Sequence, residues 1–149
     1  MMEIKIQNDS KNDLPVYATP GSAGFDLRAN VARSTMLLPG KRAIVPTGLH
    51  FDIPEGYEIQ VRPRSGLAAK FGVTVLNTPG TIDSDFADEV CVILVNFGEA
   101  PFEIKPGDRI AQGILAKVEK AEFTLVPEIS RENDRGGGFG HTGTNEIKK

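Results

Sequence analysis

Four carboxylates crowd one short stretch, "GTIDSDFADEV", Gly80 to Val90. They are Asp83, Asp85, Asp88 and Glu89, and they stand between the apolar runs "FGVTVLN" and "VCVILVNF". Carboxylates at this density can cage a cation or serve as a general base. The spacing does not suit a calcium loop: after Asp83 and Asp85 the next ligand position is Ala87, and no Gly stands where such a loop turns. Mg²⁺ is compatible, because it keeps its waters and leans on substrate phosphates with one or two carboxylates nearby. Two histidines, His50 and His141, and the single Cys91 do not make a zinc site of the usual spacing.

Other segments carry groups that suit an anion. "RPRSGLAAK" sets Arg62, Arg64 and Lys70 around a short helix expected from Ser65 to Phe71. Free N–H groups at its start, a capping Ser65 hydroxyl and a guanidinium fork would make an anion site; the alternative is an ordinary cap among solvated charges. "AGFDLRA" places Asp26 between Phe25 and Leu27, where a carboxylate faces solvent or pairs with a charge. Gln112 is polar amid apolar neighbours, so it is a satisfied structural amide or a ligand contact. "GFGHTG" matches a dinucleotide fingerprint in letters only, since no strand precedes it and no unit follows. Cys91, inside an apolar run, is expected to be an inert thiol.

The elements that must position these groups are short strands. At 149 residues, 40% hydrophobic and 25% charged, the chain suits one soluble domain. Sixteen Gly and ten Pro favour many turns over long helices. "EIKI" near the N-terminus reads as a strand, and Thr35 to Pro63 reads as strands separated by turns, the spacing of a sandwich or barrel. Tyr57, Ile59 and Val61 alternate with Glu58, Gln60 and Arg62, as on a half-buried strand. "VCVILVNF" is apolar on both faces, as for a strand covered on both sides, and "RIAQGILAKV" is a further strand. The domain is expected over 1–130, with a mobile Gly-rich arm over 131–149.

Net charge of -3, no long basic run and no Trp argue against nucleic-acid binding. The N-terminal residues lack an apolar signal region and no run approaches membrane-spanning length. A cytoplasmic location without membrane contact is the expectation.

Taken together, five blocks in order resemble the trimeric deoxyuridine triphosphatases (dUTPases): "AGFDLRA", "PRSGLAAK", "NTPGTIDSDFADEV", "GDRIAQGIL" and "RGGGFGHTG". The resemblance implies an all-β, jelly-roll-like barrel with one short helix. It also implies a homotrimer whose active sites are shared between subunits, each closed by a C-terminal arm. The implied reaction takes dUTP and water to dUMP and pyrophosphate with Mg²⁺, limiting uracil in DNA and supplying dUMP for thymidylate synthesis.

By the same resemblance, Asp83 is the general base and Asp26 holds the Mg²⁺ complex through water. Arg64, Ser65, Gly66 and Gln112 match phosphate-binding positions. Asn77 and the backbone of Gly80, Thr81 and Ile82 face the uracil, and Phe86 lies under the sugar. Arg135 reaches the γ-phosphate, Phe139 covers the uracil, and Gly140, His141 and Thr142 complete the arm's contacts.

Three departures stand out. Phe86 replaces the usual Tyr, but the ring face that blocks a ribose hydroxyl survives. One residue fewer separates Arg135 from Phe139. Asp88 and Glu89 stand where the family usually has a basic or amide residue, and are expected at the surface or a subunit contact. Asp85 would share a face with Asp83 if the stretch were extended. The rival readings are a dCTP deaminase-like enzyme and a non-catalytic dUTP-binding regulatory module of the same fold.

Overall fold

The computed structural model describes residues 2–140, 143 and 144. It contains eleven strands and one helix in chain order: β1 Lys5–Asn8, β2 Phe25–Arg28, β3 Thr35–Leu37, β4 Arg42–Pro46, β5 Leu49–Asp52 and β6 Tyr57–Arg62, then α1 Ser65–Phe71. After the helix come β7 Val73–Val75, β8 Gly80–Ile82, β9 Cys91–Asn96, β10 Phe102–Ile104 and β11 Arg109–Lys117. The strands form four antiparallel sheets, ordered β1-β5, β3-β10, β2-β11-β6-β8 and β4-β9-β7. None of the described helices is long and apolar enough to cross a membrane.

Side-chain alternation turns each strand's apolar face inward. On β6, Ile59 and Val61 are buried while Arg62 is exposed, as the period-two pattern requires. On β9, Val92 and Leu94 enter the core. Its other face is less covered than the apolar run suggests. Cys91 and Ile93 are half-buried there, and Ile44, paired with Ile93, is 70% exposed. Burial and the Glu89 carboxylate push the Cys91 thiol above its ordinary range, in keeping with an inert cysteine.

The two buried polar side chains among the core residues are satisfied. Asn96 Nδ2 donates to the carbonyls of Leu37 and Ala100, and its Oδ1 accepts from the Gly98 N–H. Thr47 Oγ1 donates to the Val90 carbonyl at 2.6 Å and accepts from the Leu49 N–H. Such complete pairing removes the cost of an orphaned polar group, about 1–3 kcal/mol each.

Helix α1 buries no residue fully, and Leu67 packs partly on the core. Gly72 ends it in the left-handed conformation, donating its N–H to the Ala68 carbonyl. Arg64, not Ser65, occupies the N-cap, and no side chain caps the helix. The expected hydroxyl cap is therefore absent, and Ser65 is the first helical residue.

The contacts divide the chain into Met1–Glu119 and Lys120–Lys149. Every described residue from 120 onward is exposed, including Phe123, Leu125 and Phe139. Within this second unit, Asp134 accepts from Arg131 and from the Gly136 N–H.

Candidate active site

Strand pairing brings distant residues together at one end of the four-stranded sheet. On β11, Gln112 lies opposite Asp26 of β2 and Arg62 of β6. The chain leaves β6 through Pro63 and presents Arg64 in extended backbone at the head of α1. Arg64 Nε then stands 3.2 Å from Asp26 Oδ1, and Arg109 Nη1 donates to Asp26 Oδ2 at 3.2 Å. Arg64 Nη1 also donates to the Arg109 carbonyl at 3.3 Å.

The Asp26 side chain is 20% exposed, so this is a partly screened ion triad. One carboxylate between two guanidinium groups leaves a surplus positive charge. The Arg64 N–H is not aimed along the short contact, so Oδ1 is buried with no hydrogen bond despite the ion pair. A buried carboxylate oxygen with a free lone pair is an acceptor ready for a water or a hydrated cation. Beside it lies a cavity of about 280 Å³ lined by Ser22, Gly24, Asp26, Arg62 and Gln112. Ser65 and Gly66, in the first turn of α1, are exposed.

Arg109 was not among the residues singled out from the sequence. Its signal is weak, because its pairing with Asp26 is cross-strand and next to a register shift between Arg109 and Ala111. No local pattern reports such a contact.

Asp83 lies elsewhere. Asn77 is exposed in the turn between β7 and β8, Gly80 is buried, and Thr81 and Ile82 pair with Gln60 and Ile59. Asp83 follows directly and is exposed, as is Phe86 at 38%. The stretch is not extended here. The Phe86 N–H donates to the Asp83 carbonyl at 3.2 Å, closing a turn through Ser84 and Asp85. Asp85 thus does not share a strand face with Asp83.

The β8 end sits opposite Ile59, while Gln112 sits opposite Arg62. At a rise of ~3.3 Å per residue and ~4.8 Å between strands, these two ends are about 14 Å apart. One chain therefore does not bring Asp83 to the Asp26–Arg64–Gln112 group. Arg135, Phe139 and Gly140 are exposed in the second unit, and Phe139 has φ 45. His141 and Thr142 lie outside the described residues.

Glu89, expected at the surface or a subunit contact, is half-buried. Its Oε1 accepts the Gly48 N–H at 2.7 Å. Among the described residues, no group of three or more His, Cys, Asp or Glu could hold a metal.

Fold and site together define an all-β, jelly-roll-like frame with an arginine-rich, anion-receptive sheet end. The family model described as dUTPase matches residues 10–143. Among curated relatives, the deoxyuridine 5'-triphosphate nucleotidohydrolase of Chlamydia pneumoniae is 57% identical, covering 95% of this chain and 99% of its own. That of Chlamydia muridarum is 54% identical with the same coverage. Among solved structures, the Staphylococcus bacteriophage 80alpha dUTPase with dUPNHPP superposes with TM-score 0.87 at 22% identity, over 97% of this chain and 100% of that one. The dUTPase of phage phi11 of S. aureus, described with a structural Mg(II) ion, gives 0.77 at 20% identity, over 85% and 98%. The chain belongs to the dUTPase family.

Proposed function

We propose that the chain hydrolyses dUTP to dUMP and pyrophosphate in the cytoplasm, limiting uracil in DNA and supplying dUMP for thymidylate synthesis. The observation that carries the reading is the Asp26–Arg64–Arg109 triad beside Gln112, a cationic group with one open buried acceptor. Relatives named for this activity, at 57% and 54% identity over nearly the whole chain, support it.

The chemistry follows from the residues. Arg64 and Gln112 bind triphosphate oxygens, together with the backbone at Ser65 and Gly66. Asp83 holds a water in line with the α-phosphorus and takes its proton. The water oxygen forms the new bond to phosphorus as the bond to the α,β-bridging oxygen breaks. Pyrophosphate leaves with that electron pair. Uracil is recognised by Asn77 and the backbone of Gly80 to Ile82, which reject bases that leave these groups unpaired. Phe86 packs under the deoxyribose.

Mg²⁺ fits the donor set: Asp26 Oδ1 can accept a hydrogen bond from a water of its shell, and a single carboxylate suits a cation carried on phosphates. When bound, Mg²⁺ supplies neutralisation of the triphosphate charge. Asp26 also fixes Arg64 and Arg109 against each other.

The separation of Asp83 from the triad supports a site shared between copies, one copy's Asp83 meeting another copy's triad, in the homotrimer that the sequence resemblance implies. The apolar outer face of β4-β9-β7, with Ile44 and Leu76 exposed, supports burial against further copies. The arm of residues 131–149 closes the site, with Phe139 over the base and Arg135, Gly140, His141 and Thr142 toward the phosphates.

Pyrophosphate release from dUTP, dTTP, dCTP and UTP tests the assignment. The expected kcat/KM for dUTP exceeds each of the others by at least about 10²-fold. Comparable rates on all four, or ammonia release from dCTP, would refute it.

A further inference from the structure

The loop that carries Asp83 and Phe86 is stitched to β5 and the turn before it by contacts outside the reacting groups. At its far end, the Val90 N–H donates to the Leu49 carbonyl at 2.8 Å, and the Val90 carbonyl accepts from Thr47 Oγ1. One residue earlier, Glu89 Oε1 accepts the Gly48 N–H. Gly48 has φ 72, and a Cβ there would stand 2.8 Å from the Ser10 N, so only glycine fits this junction. Its carbonyl accepts from the Asp9 N–H at 2.7 Å.

His50 makes the last stitch. Its Nδ1 lies 3.0 Å from the Ala87 carbonyl and its Nε2 lies 3.3 Å from Asp9 Oδ2. A carbonyl only accepts, so the Ala87 bond requires an N–H on Nδ1. Asp9 also only accepts, and it already receives both contacts from Gln7 Nε2, at 3.1 and 2.9 Å. A neutral ring satisfies one of its two partners, and an imidazolium satisfies both. Ala87 directly follows Phe86, so its carbonyl holds the loop beside the turn that the Phe86 N–H closes onto the Asp83 carbonyl.

We propose that His50 is a positioning residue for catalysis, holding the Ala87 carbonyl so that Phe86 and Asp83 meet substrate in one geometry. Asp9 orients the ring from behind, and Glu89 fixes the loop beside it. The inference rests on the proposed dUTP hydrolysis for its kinetic consequence, but the tether itself is testable without it.

Three substitutions separate the two bonds. In His50→Asn the amide nitrogen stands near the position of Nδ1 and keeps the Ala87 bond. In His50→Gln it reaches toward Asp9 and leaves Ala87 unbonded. His50→Ala removes both. The measurements are kcat and KM for dUTP, and hydrogen–deuterium exchange of residues 83–90 without nucleotide.

His50→Gln and His50→Ala are expected to lower kcat about tenfold and to speed exchange, because small misplacements of reacting groups are costly. His50→Asn is expected to stay within about twofold of wild type in both readouts, a rescue that general destabilisation does not produce. Equal exchange in all four proteins, or His50→Asn as impaired as His50→Ala, would overturn the proposal. A wild-type chain that fails to hydrolyse dUTP counts against the proposed function alone, and exchange still decides the tether.

Discussion

Asp83→Asn is expected to lower kcat for dUTP by roughly 10²–10⁴-fold while leaving KM within a few-fold of wild type. The amide keeps the size of the carboxylate and can still hold a water, but it cannot take a proton. Folding offers no competing explanation. Asp83 is exposed, and the contact that shapes its turn is its backbone carbonyl with the Phe86 N–H, which the substitution retains. Thermal unfolding should shift by no more than a surface substitution does, about 0.5 kcal/mol or less. Near wild-type turnover in the variant would remove Asp83 from the role of base.

The second large effect is expected from deleting residues 131–149. The packed unit spans Met1–Glu119, and every described residue of the deleted segment is exposed. The truncated chain should therefore fold as before. Turnover should fall by about 10²-fold or more, since the deletion removes the proposed lid with its Phe139 and Arg135. A truncated chain that unfolds would show the segment to be part of the fold. One that turns over dUTP at the full rate would show that no lid is needed.

Local patterns carried much of the architecture. The alternation from Tyr57 to Arg62 locates β6, the apolar run from Val90 to Phe97 contains β9, and "SGLAAKF" coincides with α1. Boundaries were less secure: "EIKI" begins two residues before β1, whose polar end Gln7–Asn8 is fixed by pairing with β5. Contacts between distant segments were invisible. Arg109 meets Asp26 only because β11 pairs with β2, and Glu89 anchors Gly48 only because β5 runs beside the loop. The condition under which Asp85 would share a face with Asp83 is not met, since Ser and Asp are turn formers and the Asp83 carbonyl finds a partner three residues on. The acidic stretch thus divides into an exposed Asp83, which we propose for the chemistry, and a Glu89 that ties the loop down.

One chain carries Asp83 and the Asp26–Arg64–Gln112 group at separate ends of a sheet, and we propose that two copies complete each site. Co-expression of Asp83→Asn with Arg64→Ala distinguishes a shared site from one held within a single chain. Each variant alone is expected to be nearly inactive. Randomly mixed trimers would contain intact pairs at about a quarter of their sites, and pyrophosphate release should recover to about that fraction of wild type. A mixture no faster than the two parents measured separately would place the whole site within one chain and rule out sharing between copies.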